Sequence, residues 1–461
     1  MSIRRPVCKD RRLIAPAAIA DLNLSKATRQ IGASRKLAEM SVALPGLLRK
    51  NSMRHAVLAS LVATCPVAIS AQPLTFNAAL QHARANAPVL LAKARRLDAV
   101  RAARGAAGAL PDPTLGVGLD SFPVSGPLAF QPNRDNFTWV KVEASQAIPN
   151  LAKRHAEQAR ADADIRAVEA DAAVGARDVA VSAGLAWIDL AYAERRVAAI
   201  DDVLRRLEAI VHTSPSAVAS GSARPAQTVG GNEAVAKMQD RRSELVAGVA
   251  KARAALTRWT GDTEPEIAGE VPDFPIRAAA FEGALDHHPA IRMAAAREGQ
   301  AEADVRVAES GRRSDFGVNL AYQRRDPRFG DYVSAGVTIG LPIFTRHRQN
   351  AQIAARQADA SAAVAEQAEA RRTLAAALAS DLADHKMHHE QWMRARDMLQ
   401  PLAEKRVGLE TASFAAGRAS LIDIVDAHAA LADAVLTTLD REAAVLRDGV
   451  RINLTYGDDS Q

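Results

Sequence analysis

Cysteine is nearly absent from this 461-residue sequence, which contains only Cys8 and Cys65. Both precede Ala71, after which we expect cleavage, so a mature chain cut there has no disulfide and no thiolate metal site. Aromatic residues make up only 4% of the chain, whereas alanine, arginine, glutamate and leucine are abundant. This composition favours long helices over a large mixed core.

Positive charge is not in excess once the first 71 residues are set aside. The whole chain has a formal net charge of +6, but residues 1–71 contain twelve Lys or Arg and three Asp or Glu. They contribute +9 and leave −3 for residues 72–461. The expected mature chain therefore lacks the excess positive charge that would favour a nucleic-acid partner. The sequence also has no phosphate-binding glycine loop, nucleophile constellation or cysteine cluster. We therefore expect no enzyme activity and no cofactor.

Residues 53–71 have the three parts of an export signal: a basic start, an apolar run over 56–63, and small residues before the cleavage point. The apolar run is too short to span a bilayer as a helix. We expect 1–71 to be a leader and signal peptide, with Met53 as the first candidate for the true start and Met40 as the alternative. Cys65 is either a lipidation site, since its neighbours loosely resemble a lipobox, or an ordinary cysteine of the apolar run.

The rest of the chain repeats one order of predicted elements. Pro88 and Pro289 are each followed 27 residues later by a strand pattern, and a second strand pattern then ends in Pro149 or Pro342. Each of the latter prolines opens a long alanine-rich stretch, then a glycine-containing turn and another helical stretch.

A repeat of this length is too long for a solenoid and predicts a duplicated domain that forms one pseudo-symmetric body. We expect the first repeat over 72–270 and the second over 271–457, each with a helix, two strands and two long helices. Residues 458–461 would be a tail.

Apolar residues in the long helices recur every three or four positions, which is the spacing of a coiled-coil seam. The pattern is followed by Val197, Ile200, Leu204, Leu207 and Val211, and by Leu245, Val249, Ala252, Leu256 and Trp259. From Leu151 to about Val211, one continuous helix would be about 90 Å long. The matching arm of the second repeat contains Pro401, so we expect a kink there.

Residues 333–341, within the stretch 332–344, alternate strictly between apolar and small or polar side chains, which predicts a strand with two different faces. One face carries Val333, Ala335, Val337, Ile339 and Leu341, and the other carries Ser334, Gly336, Thr338 and Gly340. Residues 138–148 and 315–323 alternate in the same way. Half of the eighteen aromatic residues lie in or beside these strands, within 122–139 and 316–344. Tilted membrane strands with aromatic girdles would explain this, but an ordinary half-buried sheet is the alternative.

The number of strands favours assembly. Four strands cannot close, and an open edge cannot sit in hydrocarbon because its backbone groups would stay unpaired. A dimer would give eight strands with a filled interior, whereas a trimer would give twelve strands and a lumen. On this hypothesis Val333, Val337 and Ile339 face lipid, and Ser334, Gly336 and Thr338 line the lumen.

Three segments resemble the TolC family of outer-membrane efflux channels, and the resemblance covers about residues 72–457. They are LTFNAAL at 74–80, LPIFTRHRQN at 341–350 and FAAGRASLIDIVDAHAAL at 414–431. Residues 111–127 and 134–154 are most similar to the channels of heavy-metal resistance-nodulation-division (RND) systems.

The resemblance implies a mainly α fold with a transmembrane β part. Long helical hairpins would form a periplasmic α-barrel, and four strands per chain would contribute to a trimeric twelve-stranded barrel in the outer membrane of a Gram-negative bacterium. It also implies a homotrimer that docks, through a periplasmic adaptor, to an inner-membrane RND pump. The family has no catalytic activity of its own.

Asp423 and Asp426 lie where the family places the carboxylates that narrow the periplasmic mouth. Their three-residue spacing puts both on one helix face, and three-fold symmetry would make two stacked rings of three carboxylates. The alternative is that aspartate near a helix start only favours the positive end of the helix dipole. The first repeat has Gln227 and Gly230 at the corresponding places, so the gate would belong to one hairpin.

The turns at Gly221 and Gly417 are the candidate hairpin tips for adaptor docking. The first tip has Val218 where the second has Phe414. We also expect Gly230 and the next residue, Gly231, to weaken their helix start by about 1 kcal/mol each relative to alanine.

His385, His388 and His389 share a helix face and offer a transient contact for Cu or Zn. The alternative is that they are solvated helix positions. No firm metal site is expected.

The sequence thus predicts a passive outer-membrane efflux duct for heavy-metal cations. A duct for drugs or other small organic molecules is the alternative within the class. The alternative from another class is a soluble periplasmic helical scaffold whose strands form a small packed sheet.

Overall fold

The computed structural model describes residues 73–212, 219 and 225–457. The predicted leader with both cysteines, the turn residues Val218 and Gly221, and the tail at 458–461 lie outside the described residues. The described part is mainly helical with four antiparallel strands, as predicted.

Two similar series of elements follow one another. The first is α1 (Phe76–Asn86), α2 (Pro88–Arg104), β1 (Thr114–Asp120), β2 (Trp139–Ile148), α3 (Leu151–His212) and α4 (Pro225–Thr260). The second is α5 (Ala278–Ala284), α6 (Pro289–Ser310), β3 (Phe316–Arg324), β4 (Tyr332–Ile339), α7 (Gln349–Arg394), α8 (Gln400–Ala415) and α9 (Leu421–Tyr456). In the described residues, no helix has the length and apolar character needed to cross a membrane.

The long helix α3 has 62 residues, which confirms the predicted rod. Asn150 caps its start, because its side-chain Oδ1 accepts a hydrogen bond from the Lys153 amide at 2.8 Å. The Asn150 amide group also donates to the Asp315 carboxylate at 2.8 Å. This contact ties the end of β2 to the start of β3.

The corresponding arm of the second series is interrupted. Residues Ala395–Leu399 form a π-helical segment between α7 and α8, immediately before Gln400 and Pro401. Proline has no amide hydrogen and clashes with the preceding turn, so the widened turn accommodates it. The irregularity predicted at Pro401 is therefore present as this π-helical segment.

The sheet and the helices beside it have the same lateral order. The strands are ordered β1, β2, β3, β4, all antiparallel. Next to the sheet, α2, α3, α6 and α7 pack side by side in sequence order. Toward the hairpin tips the order is α4, α3, α9 and the α7–α8 arm. The chain is thus a single layer of strands that continues into a layer of helices.

The main core lies where α1, α3, α4 and α9 meet. Its centre is Trp187, which is fully buried and donates from its indole Nε1 to the Leu74 carbonyl at 2.9 Å. A second core cluster runs toward the hairpin tips between α3, α4 and α9. It includes the predicted seam residues Ile200, Leu204, Leu207 and Val211, which are buried.

Candidate functional site

One face of the sheet is apolar, because the strand register brings apolar side chains from all four strands to the same side. These residues are Leu115, Val117, Leu119, Val140, Val142, Phe316, Val318, Leu320, Tyr322, Val333, Val337 and Ile339. The least exposed of them, Val142, is 39% exposed, and Val337 is 69% exposed. Within the described residues no core covers this face, so a small packed sheet does not fit the structure.

The opposite face is small and polar. Most of its residues are Gly116, Gly118, Lys141, Glu143, Ser145, Gly317, Asn319, Ala321, Gln323, Ser334, Gly336 and Thr338, and the end far from the long helices adds Asp120, Trp139 and Tyr332. We call it the small-polar face. The predicted lumen residues Ser334, Gly336 and Thr338 lie here, whereas the predicted lipid-facing residues lie on the apolar face. What each face contacts in an assembly stays a prediction.

Both outer edges of the sheet are open in the described part of the chain. β1 pairs only with β2, and β4 pairs only with β3. Because unpaired backbone groups are costly in hydrocarbon, such a sheet needs further strands before it can sit in a membrane.

Arg325 fastens the loops at the end of the sheet far from the long helices. It is 8% exposed, and its guanidinium donates to the Gly330 carbonyl at 2.9 Å and to the Asn136 carbonyl at 3.1 Å. The guanidinium also lies over the Tyr332 ring, 4.0 Å from its centroid. The loop between β1 and β2 is thereby joined to the turn between β3 and β4.

The second hairpin tip presents Asp423 and Asp426 at the start of α9. Both are exposed and lie on the face away from the buried Leu421, Ile424 and Val425. The predicted one-face arrangement is therefore present, while its role as a gate stays a prediction.

Asp423 and Asp426 differ in their local contacts. Asp423 belongs to a capping box, in which its carboxylate accepts hydrogen bonds from the Ser420 amide and the Ser420 hydroxyl, both at 2.7 Å. These hydrogen bonds lower the pKa of Asp423. Asp426 has no hydrogen bond or ion pair within the described residues. A helix-start role thus accounts for Asp423 but leaves Asp426 unexplained.

The first tip uses glycine for close packing. A Cβ atom on Gly230 would lie 3.1 Å from Ile422 Cδ1, and one on Gly231 would lie 3.2 Å from Val211 Cγ2. The sequence suggested only a weaker helix start at these residues. In the structure, α4 continues through both glycines, and their missing side chains let it approach α3 and α9.

The three histidines on α7 do not gather around one point. His388 Nδ1 lies 2.6 Å from the Asp448 carboxylate, whereas His389 packs beside Trp392 with ring centroids 5.7 Å apart. Burial lowers the pKa of His385. Within the described residues, no group of three His, Cys, Asp or Glu residues is placed to hold a metal ion. Transient contact with a metal through single histidines stays untested.

Sequence reasoning missed the network that His388 joins. Asp448, which is 3% exposed, also accepts from Arg451 at 2.9 Å, and Arg451 lies 3.0 Å from Asp381. The network connects α7 with α9. An aspartate on an otherwise apolar helix face was its only sequence signal.

The comparison with known families agrees with this geometry. Residues 281–457 match the family described as Outer membrane efflux protein. The cobalt-zinc-cadmium resistance protein CzcC of Cupriavidus metallidurans is 27% identical to this chain over 219 residues, which are 46% of this chain and 52% of that protein. The match thus spans about half the length of this relative.

Solved structures share the fold over most of the chain. A membrane protein from Pseudomonas aeruginosa superposes with a TM-score of 0.72 at 16% identity, covering 83% of this chain and 90% of that one. CusC, whose structures describe folding and transmembrane channel formation, superposes with a TM-score of 0.69 at 13% identity, covering 83% and 92%. The predicted resemblance and the predicted fold class are confirmed.

Proposed function

We propose that this chain, whose residues 281–457 match the outer membrane efflux protein family and whose fold is that of the TolC-like channels, forms a passive trimeric duct in a Gram-negative outer membrane. One observation carries the proposal. The apolar face of the four-stranded sheet is exposed over most of its length, and both edges of the sheet are open in the described part of the chain.

Assembly of three copies would pair the open sheet edges and place the exposed apolar face against lipid. The open edge of β4 would pair with β1 of the next copy, giving twelve strands with their apolar faces toward outer-membrane lipid. The small-polar face would then line the lumen, and the helical layers would close behind it into a periplasmic tunnel. We further propose that the tips dock a periplasmic adaptor, which connects the duct to an inner-membrane RND pump.

Membrane fractionation tests this proposal. We expect the protein in the outer-membrane fraction, requiring detergent for extraction and migrating as a trimer in SDS gels until it is heated. A soluble monomer in the periplasmic fraction would overturn the duct and favour the helical scaffold.

The proposed cargo is heavy-metal cations. The similarity to CzcC, a cobalt-zinc-cadmium resistance protein, supports this cargo. Deleting the gene should raise the sensitivity of the cells to cobalt, zinc or cadmium, and the full-length chain should restore resistance. Unchanged metal sensitivity together with increased sensitivity to small organic toxicants would favour the alternative duct for drugs.

We also propose that Asp423 and Asp426 form the gate at the periplasmic mouth. Their shared exposed face at the start of α9 supports this role. In a trimer their carboxylates would repel one another and attract cations, and so would control both the opening and the ion preference of the duct.

A further inference from the structure

We propose that Lys141 and Glu143 set the ion selectivity of the strand region, as a charge pair whose two members oppose each other. The inference rests on the proposed function, because it takes the small-polar face as the lumen. Lys141 and Glu143 lie outside residues 281–457, which match the family, and the names of the relatives say nothing about them.

The pair lies near the middle of β2. Lys141 Nζ is 2.5 Å from Glu143 Oε2, and each side chain is 29% exposed. Two residues apart on one strand, both side chains project from the small-polar face. The pair therefore places one fixed positive and one fixed negative charge where an ion in the lumen would pass.

Most of the residues next to the Lys141–Glu143 pair have small side chains. On β1, the residues opposite Lys141 and Glu143 are Gly118 and Gly116. On β3, Ala321 lies opposite Glu143 and is only 2% exposed, and Ser334 follows on β4. Glu143 therefore has small residues on both sides, whereas Lys141 has Gly118 on one side and the longer Gln323 on the other.

A hydrogen bond from the next strand holds Glu143 in place. Asn319 Nδ2 donates to Glu143 Oε1 at 3.1 Å. The Asn319 side chain in turn lies across Gly336, where an added Cβ atom would be only 2.6 Å from Asn319 Oδ1. Glycine at 336 therefore makes room for the asparagine that positions the carboxylate. Three strands contribute to this one polar row.

The Lys141–Glu143 ion pair adds little to the stability of the fold. A partly exposed ion pair contributes only about 0–1 kcal/mol to folding. In a lumen, by contrast, a fixed charge attracts counter-ions and excludes co-ions. While the pair is intact, its own two charges cancel and contribute little to discrimination between cations and anions, and Asp120 at the end of β1 is the other fixed charge on this face. Removing one member leaves the other charge uncompensated.

The test is planar-bilayer recording of purified protein under a salt gradient, which gives the ratio of cation to anion permeability. The recordings use a chain with Asp423→Ala and Asp426→Ala, so that the tip carboxylates do not dominate. Lys141→Gln should raise the ratio and Glu143→Gln should lower it, each by about threefold. The double variant should return close to the parent.

Two further variants sharpen the test. Arg324→Gln removes a charge at the end of β3 from a position aligned with the apolar face, so it should leave the ratio unchanged. Gly336→Ala displaces Asn319, so it should shift the ratio in the same direction as Glu143→Gln but by less.

The outcomes separate the two proposals. If both single variants form conducting trimers with the parent's permeability ratio, the charge pair does not set selectivity and the inference is wrong. If no variant and no parent protein conducts, the duct itself is contradicted, and the selectivity role is contradicted with it.

Discussion

Helix α3 and the α7–α8 arm each follow the second strand of a hairpin, yet they are buried very differently. α3 has twenty buried residues, whereas α7 has three and α8 has none. α3 is packed between helices on both sides, while α7–α8 lies at the edge of the helical layer. Large apolar side chains consequently remain exposed on the edge arm, including Leu402 and Leu409.

This difference indicates which elements are covered by their own chain and which have exposed groups that a partner would cover. The central helix is stabilised by its own chain. The edge arm has exposed apolar side chains and the open edge of β4 has unpaired backbone groups, and further copies would cover both. The four predictions that follow test positions of both kinds.

The largest expected effect is in the central core. Trp187→Ala removes a fully buried side chain and its hydrogen bond to Leu74, which should cost about 3–5 kcal/mol. Leu409, which is 60% exposed, is the matched position on the edge arm. Leu409→Ala should leave the unfolding of the chain nearly unchanged but lower the temperature at which the trimer dissociates.

Circular dichroism during heating measures the first effect, and SDS gels of samples heated in steps measure the second. If Leu409→Ala destabilised the chain as much as Trp187→Ala, or left the trimer unaffected, the contrast between central and edge helices would be wrong.

The two faces of β4 give the next effect. Val337→Arg puts a charge on the apolar face and should cost about 2–4 kcal/mol in a membrane-embedded barrel. Thr338→Arg, one residue along, should assemble and change conductance. Outer-membrane yield of the trimer is the measurement, and equal yields for the two variants would refute the assignment of the faces.

The first hairpin tip depends on close packing within the chain. Gly231→Val adds a branched side chain against Val211, and we expect a cost of about 1–3 kcal/mol from overpacking. Gly248, in the same helix, has no atom within 4 Å of an added Cβ. Gly248→Ala should therefore stabilise the helix by about 0.5–1 kcal/mol. Thermal unfolding of the two variants should shift in opposite directions, and a matching shift would contradict the packing role of Gly231.

The smallest effect concerns His428 on α9, which is 4% exposed. Burial lowers its pKa, and the nearby Arg206 adds to the effect. The native state therefore favours neutral His428, and its contribution to stability is complete above the ordinary histidine pKa of about 6.5. Stability should fall as the pH drops below that value toward the lowered pKa.

Melting temperatures of the wild type and His428→Asn between pH 7.5 and 5 measure this dependence. We expect the variant to lose part of the pH dependence in that window. Identical pH profiles would show that protonation of His428 is not coupled to folding.

Patterns local in sequence predicted much of this structure. The alternation over 332–344 gave the faces of β4 correctly, and the helical periodicity gave the length of α3, because both depend on neighbouring residues. Contacts between distant segments were beyond such reasoning. Asn319 meets Glu143 only because β2 and β3 pair in one particular register, and Gly231 meets Val211 only because α4 packs on α3.

The geometry of the candidate gate residues was predicted in part. The spacing of Asp423 and Asp426 fixed their common helix face. Their different roles were not predictable, because the capping box depends on how the chain turns before Leu421.

The central claim is that three copies of this chain form a channel whose periplasmic mouth is controlled by Asp423 and Asp426. Planar-bilayer recording of purified trimers tests it most directly, using wild type and the Asp423→Ala, Asp426→Ala double variant in mixed monovalent and divalent salts. We predict discrete conductance steps for both, with weaker cation selectivity and less block by divalent cations in the double variant. Selectivity and block identical to the wild type in well-folded trimers would contradict the gate, and the absence of conductance steps from both proteins would contradict the channel itself.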